Sequence, residues 1–240
     1  MKSFVLMISF FTRIPLPKID YSEARFARGI RFVPLIGLLM GGVLYSVAML
    51  CAGFDSDVAA IVLLATYILL TGALHIDGMA DTCDGVFSGR DRDRMLEIMR
   101  DSRTGVYGVI SIALLMLFYA VLFGHISYEA LLIMPVAGKS APLISGYMAD
   151  YARPSGLGKV FAENCGRLEL AAAIAVPAAA AALLDPWLLP GVAAALVASA
   201  AATAGLKRSI GGITGDTMGF VCEFSQLVFL LTVYVTGVLL

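Results

Sequence analysis

The sequence predicts an all-α, polytopic integral membrane protein of about seven transmembrane helices with a cytoplasmic N-terminus, and three observations carry that prediction. Hydrophobic residues fill 60% of the 240 positions, charged residues 15%, and the mean hydropathy is +0.89, well beyond what the core of a soluble domain of this size requires. Apolar runs recur at the length needed to cross roughly 30 Å of hydrocarbon, about 20 residues. Basic residues avoid every second connection between those runs.

The N-terminus carries Lys2 and then apolar residues from Phe4 to Phe11, but Arg13 and Pro15-Leu16-Pro17 stand where a leader would have small residues for cleavage. It reads as a retained interfacial stretch. The candidate spans are residues 32–53, 58–74, 106–123, 131–149, 168–184, 187–206 and 218–240. The fifth and sixth are parted only by Asp185-Pro186, a helix-breaking pair that favours a tight turn. The Ala-rich stretch from Ala171 to Ala202 and the motif Gly37-x-x-x-Gly41 supply small residues that let helices approach closely. No linker or fixed-period repeat interrupts the pattern, so a single transmembrane catalytic domain over residues 1–240 is expected.

Sixteen of the 17 basic residues fall before the first span or in the second, fourth and sixth connections, and the seventeenth is Lys139. The connections around Asp55, His125 and Asp185 hold none. Short cytoplasmic loops collect Lys and Arg, so this alternation places the N-terminus inside and the C-terminus outside. A net charge of −1 gives no electrostatic case for nucleic acid. Cys51, Cys83, Cys165 and Cys222 form no paired motif and are expected to be free thiols in packed helices rather than a zinc or redox site.

The chemistry is concentrated in the connections of one face. After the second span, His75-Ile-Asp77-Gly-Met-Ala-Asp81-Thr-Cys-Asp84-Gly85 spaces three aspartates at i, i+4 and i+7, on one face of a helix. Like charges stacked there repel unless a cation lies among them, and a divalent ion such as Mg²⁺ accepts such carboxylates. A solvated acidic helix end is the plainer alternative.

Ser88-Gly89-Arg90-Asp91 resembles a capping box that opens a helix from Asp91 to about Arg103, carrying Asp93, Glu97 and Asp101 on one face. Arg100-Asp101-Ser102-Arg103 offers guanidinium groups for phosphate with a carboxylate between them for its metal. Arg153 and Lys159 lie in the fourth connection. The sixth runs Lys207-Arg208 and then Gly211-Gly-Ile-Thr214-Gly215-Asp216, a Gly-rich loop entering a helix start, where exposed N–H groups favour anions. Lys139, inside a span, requires a polar cavity or a carboxylate, with Glu223 as partner or metal neighbour, and is expected to point to the active site. His75 is either a base or a helix-end hydrogen-bonding residue, and His125 belongs to an outer surface.

Together these segments resemble the cobalamin synthase family, the adenosylcobinamide-GDP ribazoletransferases. The likeness rests on Phe10-Phe-Thr-Arg-Ile-Pro15, the His75–Gly85 run, Glu97-Ile-Met-Arg-Asp-Ser-Arg-Thr-Gly105, Tyr151-Ala-Arg-Pro154 and residues 211–219. Ile76, Met79 and Cys83 depart mildly from the family pattern, with no polar group lost. The resemblance implies a Mg²⁺-dependent phosphotransferase of late vitamin B12 assembly, multi-pass in the cell inner membrane with its active site facing the cytoplasm. Its substrates would be a corrinoid carrying GDP and α-ribazole or α-ribazole 5′-phosphate, whose ribose 3′-hydroxyl displaces GMP.

On that reading Asp77, Asp81, Asp84, Asp101 and Asp216 hold metal. Asp81, Asp84, Asp101, Arg103 and His75 serve the reaction, while Arg100, Arg153, Lys139, Lys207, Arg208, Thr214 and Gly215 bind substrate groups. The partners implied are small-molecule substrates and the bilayer, with room for a homo-oligomer or association with other cobalamin-assembly enzymes. A CDP-alcohol-type phosphotransferase competes, although Asp81 stands where its motif has arginine; an ion-coupled transporter competes from another class, although its sites lie near the midplane.

Overall fold

The computed structural model describes residues 2–239. Twelve α-helices succeed one another: α1 (Lys2–Phe11), α2 (Glu23–Gly29), α3 (Val33–Leu50), α4 (Ser56–Thr71), α5 (Leu74–Val86), α6 (Arg92–Ile98), α7 (Val106–Leu122), α8 (Tyr128–Met148), α9 (Leu157–Glu163), α10 (Arg167–Leu184), α11 (Leu189–Ile210) and α12 (Gly215–Leu239). Among the described residues there is no strand beyond an isolated bridge between Tyr151 and Ile213.

A helix occupies each of the seven apolar runs. Four stretches, Glu23–Leu50, Arg167–Leu184, Pro186–Ile210 and Gly215–Leu239, are long and apolar enough to cross a membrane, and α4 with α5 qualifies as a fifth, bent by 88°. The helix at α7 is apolar but shorter. The remaining one, α8, is the centre of the bundle: α3, α10, α11 and α12 pack around it, and it is buried almost continuously from Ala130 to Ser145. Its contact with α3 is close because Gly37 and Gly41 present bare backbone. A Cβ at Gly41 would stand 1.9 Å from the Leu132 carbonyl oxygen, and one at Gly37 2.6 Å from that of Pro135. Outward residues such as Val109, Leu114, Leu117 and Val121 on α7 are exposed and apolar, as a lipid-facing surface requires.

The departure that positions the site lies between α4 and α5. The apolar run expected to continue through residue 74 stops at Thr71, because Gly72 (φ 61°) and Ala73 (φ 58°) are both left-handed. Gly72 adopts that conformation without steric cost and Ala73 does not. The Arg13 side chain packs on Gly72, where a Cβ would stand 2.1 Å from Nε, and the Arg13 N–H donates to the Leu70 carbonyl at 2.8 Å. Helix α5 therefore does not prolong α4. It runs across the N-terminal ends of α12 and α7.

A second departure concerns the helix expected from Asp91 to Arg103. Ser88 forms no capping box; its hydroxyl donates to the Gly85 carbonyl, and Asp91 caps α6 by accepting from the Arg94 N–H. The helix then ends at Ile98. Beyond it, the Asp101 carboxylate accepts from the backbone N–H of Arg103, a local turn that competes with helix.

Candidate active site

The basic connections meet at one end of the bundle. The Ala152 N–H donates to the Ile213 carbonyl at 2.8 Å and the Ile213 N–H to that of Asp150 at 2.9 Å, so the fourth and sixth connections are stitched together. From the second connection, Arg92 donates through Nε to the Ile210 carbonyl (2.9 Å) and through Nη2 to that of Ala152 (3.2 Å). Gly78 of α5 packs against the start of α12, where a Cβ would come within 2.7 Å of the Asp216 carbonyl oxygen. At the opposite end, His125, Asp185 and Tyr234 share one surface cleft.

This arrangement brings Asp77 and Asp81, one turn apart on α5, beside Asp216 in the first turn of α12. Arg153 joins them: its Nη1 lies 2.8 Å from Asp216 Oδ2, while its Nε and Nη2 are buried without a hydrogen-bond partner among the described residues. Burial and the neighbouring Asp77, Asp216 and Asp84 carboxylates push the Asp81 carboxyl up to about 6, with Arg153 opposing. A group of that kind seeks a proton or a cation.

Hard carboxylate oxygens next to an unsatisfied guanidinium fit Mg²⁺ bound together with a phosphate, since that ion takes one or two carboxylates and fills its shell with water and substrate oxygens. The aspartates do not make a closed cage. Among the described residues, the only histidine, cysteine and acidic donors that gather within 4.8 Å of one another are His75, Cys222 and Glu223. Two of the three already have a partner, because the fully buried Lys139 Nζ lies 2.8 Å from His75 Nδ1 and 3.4 Å from Cys222 Sγ.

Several expected site residues stand elsewhere. Both Asp84 oxygens accept backbone N–H groups that open α7, from Gly105 at 2.6 Å and Gly108 at 2.8 Å, so Asp84 serves as a cap tying α5 to α7. Asp101 and Arg103 pair with each other at the surface, Nη2 to Oδ2 at 2.7 Å. The Arg103 contacts hold the Asp101 carboxyl down to about 2. Arg100, Lys207 and Arg208 are exposed, and Lys207 reaches only the Met148 carbonyl, at 3.5 Å. Thr214 is buried and accepts from the Thr217 N–H at 3.2 Å, while Gly215 is exposed at the mouth.

Lys139 reaches the site through His75 and does not face it directly. Glu223 is not its hydrogen-bonding partner. The Glu223 carboxylate accepts from Tyr67 Oη (2.6 Å), Tyr119 Oη (2.9 Å) and Gln226 Nε2 (3.1 Å), a network linking α4, α7 and α12.

A sequence model of the family described as cobalamin-5-phosphate synthase matches residues 3–234. The chain belongs to that family. It is 37% identical over 237 residues to an adenosylcobinamide-GDP ribazoletransferase of Alkaliphilus oremlandii, covering 98% of this chain and 97% of the relative. The enzyme of that name from Acetivibrio thermocellus is 40% identical over 242 residues, 98% of each chain, and that from Escherichia coli K12 is 39% identical over 245 residues, 96% of this chain and 98% of the relative. No solved structure matches significantly. Family membership supports the ribazoletransferase reading over the CDP-alcohol phosphotransferase and transporter alternatives.

Some residues of the candidate site give no sequence signal. Arg92 is one of five arginines in its connection, and only its reach to residues 152 and 210 sets it apart. Phe10, Phe11, Phe26 and Phe161 line one cleft with His75, Asp77 and Asp216, although they come from three distant segments.

Proposed function

We propose that the chain transfers the cobinamide phosphate of a GDP-linked corrinoid to the ribose 3′-hydroxyl of α-ribazole or its 5′-phosphate at the cytoplasmic face of the cell membrane, with Mg²⁺ as cofactor. The observation that carries the reading is the meeting of Asp77, Asp81 and Asp216 with a buried guanidinium whose Nε and Nη2 have no protein partner. The bond formed joins the ribose oxygen to the phosphorus that bears the cobinamide; the bond broken is the bridging P–O to GMP, which leaves with its phosphate oxygen. Bound Mg²⁺ supplies charge neutralisation on the pyrophosphate.

The protein's own part is positioning and charge. Arg153, anchored by Asp216, directs its free N–H groups at phosphate oxygens, where a planar guanidinium offers paired donors. Asp77, Asp81 and Asp216 present the oxygens that hold the metal. Asp81, whose carboxyl is drawn towards neutral pH, is the one suited to take the hydroxyl proton when it is free of metal. His75 is unsuited to that role, because its Nδ1 is engaged by Lys139.

The test is GMP release from adenosylcobinamide-GDP by purified protein in detergent. Release is expected only when ribazole and Mg²⁺ are both present, and Asp81→Asn should abolish it. Release without ribazole, or normal turnover by the variant, contradicts the assignment.

A further inference from the structure

The cleft beside the aspartates differs sharply from the surface on the other side of Arg153. Its volume is about 190 Å³ and it is partly open to solvent, room for one small planar group rather than for a whole nucleotide-linked corrinoid. Phe10, Phe11, Phe26, Phe161 and Met218 give it an aromatic and apolar lining, and its only titratable side chains are His75, Asp77 and Asp216. No lysine or arginine lines it. The rings present both faces and edges: Phe11 lies 5.6 Å from His75 at a 32° tilt, and Phe10 meets Phe11 and Phe26 edge-on at 4.9 and 5.3 Å. A neighbouring groove of about 340 Å³ is lined instead by Arg92, Arg100 and Arg153 together with Asp93 and Glu97.

We infer that the aromatic cleft is the acceptor subsite: it takes the flat fused base of the ribazole nucleoside and turns the ribose towards Asp77 and Asp216, while the GDP-linked donor approaches along the arginine groove. This inference rests on the proposed function and adds the placement of its two substrates. Size excludes the donor from the cleft. A corrin macrocycle with its nucleotide is too large for it, and the guanidinium groups suited to the nucleotide phosphates line the neighbouring groove instead. A neutral bicyclic aromatic base matches the lining, since each well-placed aromatic pair contributes roughly 0.5–1.5 kcal/mol beyond area burial.

Gly215 lines the cleft beside Asp216, and a Cβ there meets nothing within 4 Å, so a side chain can be added at this position without a clash at Cβ.

The test varies the two substrates separately. Gly215→Val and the milder Phe161→Leu should raise KM for α-ribazole about tenfold, a change of one decade for about 1.4 kcal/mol, and leave KM for the GDP-corrinoid within about twofold. Arg100→Ala should do the reverse. Equilibrium dialysis of α-ribazole against the wild-type protein adds a reading that needs no variant to fold: 5,6-dimethylbenzimidazole should displace it and guanosine should not. Displacement by guanosine alone, or a rise confined to the donor KM in the cleft variants, overturns the placement. A wild-type protein that binds ribazole as described yet releases no GMP refutes the proposed function and leaves the cleft assignment standing.

Discussion

The Arg153 guanidinium is bonded at one end only: Nη1 meets Asp216 Oδ2 at 2.8 Å, while Nε and Nη2 point at no protein acceptor. In an arginine side chain only 11% exposed, the unpaired Nε and Nη2 donors are placed to take a ligand or ordered water. Charge-assisted hydrogen bonds contribute roughly 1.5–3 kcal/mol each. Arg153→Ala should therefore lower kcat/KM by about 10²-fold or more, and Arg153→Lys should recover only part of it because a point charge lacks the fork. Steady-state GMP release measures both. Full activity in the lysine variant would remove the bidentate role.

Asp81 yields a prediction on pH. Its carboxyl binds a proton more tightly in the folded chain, at about 6, than in an unfolded one near 3.8. The stability it contributes is thus complete below about 3.8 and lost as pH rises through about 6. In metal-free protein the ionised group destabilises the fold at pH 7.5, by about 1 kcal/mol once solvent screening at this partly exposed site is allowed for. Asp81→Asn should raise the metal-free Tm at pH 7.5 by about 2–4 °C and flatten its fall between pH 4 and 7. It should also lose the rise that Mg²⁺ gives the wild type. A lower Tm in this variant, or an undiminished response to Mg²⁺, argues against a repelled carboxylate cluster.

How far these features could be read in the sequence follows from how local they are. The helices at the seven apolar runs were legible because apolar length is a property of contiguous residues, although only four of them, or five with the bent pair, are long and apolar enough to cross a membrane. The pairing of Asp77 with Asp81 was legible because one helical turn separates them. Asp84 was not, since its cap bonds go to Gly105 and Gly108, more than 20 residues away. Asp101 was displaced by a turn it makes itself with the Arg103 N–H, where helical periodicity had placed it on a shared face. The requirement that Lys139 find a partner was sound, but His75 and Cys222 became that partner only through the crossing of α5 and α12.

Glu223 should matter for folding rather than turnover. Its carboxylate is 1% exposed and gathers three neutral donors from three helices. Glu223→Ala leaves the hydroxyls of Tyr67 and Tyr119 without their acceptor, at about 1–3 kcal/mol for each stranded buried group. Glu223→Gln retains one acceptor oxygen and should cost less. Thermal unfolding in detergent ranks them, with the alanine variant lowest and the single variants Tyr67→Phe and Tyr119→Phe between. Equal stability across the set would mean that the network contributes nothing to the packing of α4, α7 and α12.

The bend that carries α5 beneath α12 depends on two adjacent left-handed residues, and they should answer oppositely to substitution. Ala73 holds φ 58°, which costs an L-residue about 1 kcal/mol, so Ala73→Gly relieves strain and should be neutral or slightly stabilising. Part of the gain is offset because glycine widens the unfolded ensemble. Gly72→Ala adds the same left-handed penalty, and its methyl group meets Arg13 Nε at 2.1 Å, so Arg13 must leave its place over the bend. The consequence extends to the reaction, because the orientation of α5 decides where Asp77 and Asp81 stand relative to Asp216. Gly72→Ala is expected to lower both Tm and the rate of GMP release, while Ala73→Gly keeps both near wild type. If the two variants behaved alike, the bend would be set by the packing of α5 on α12 and α7, and the local backbone would merely follow.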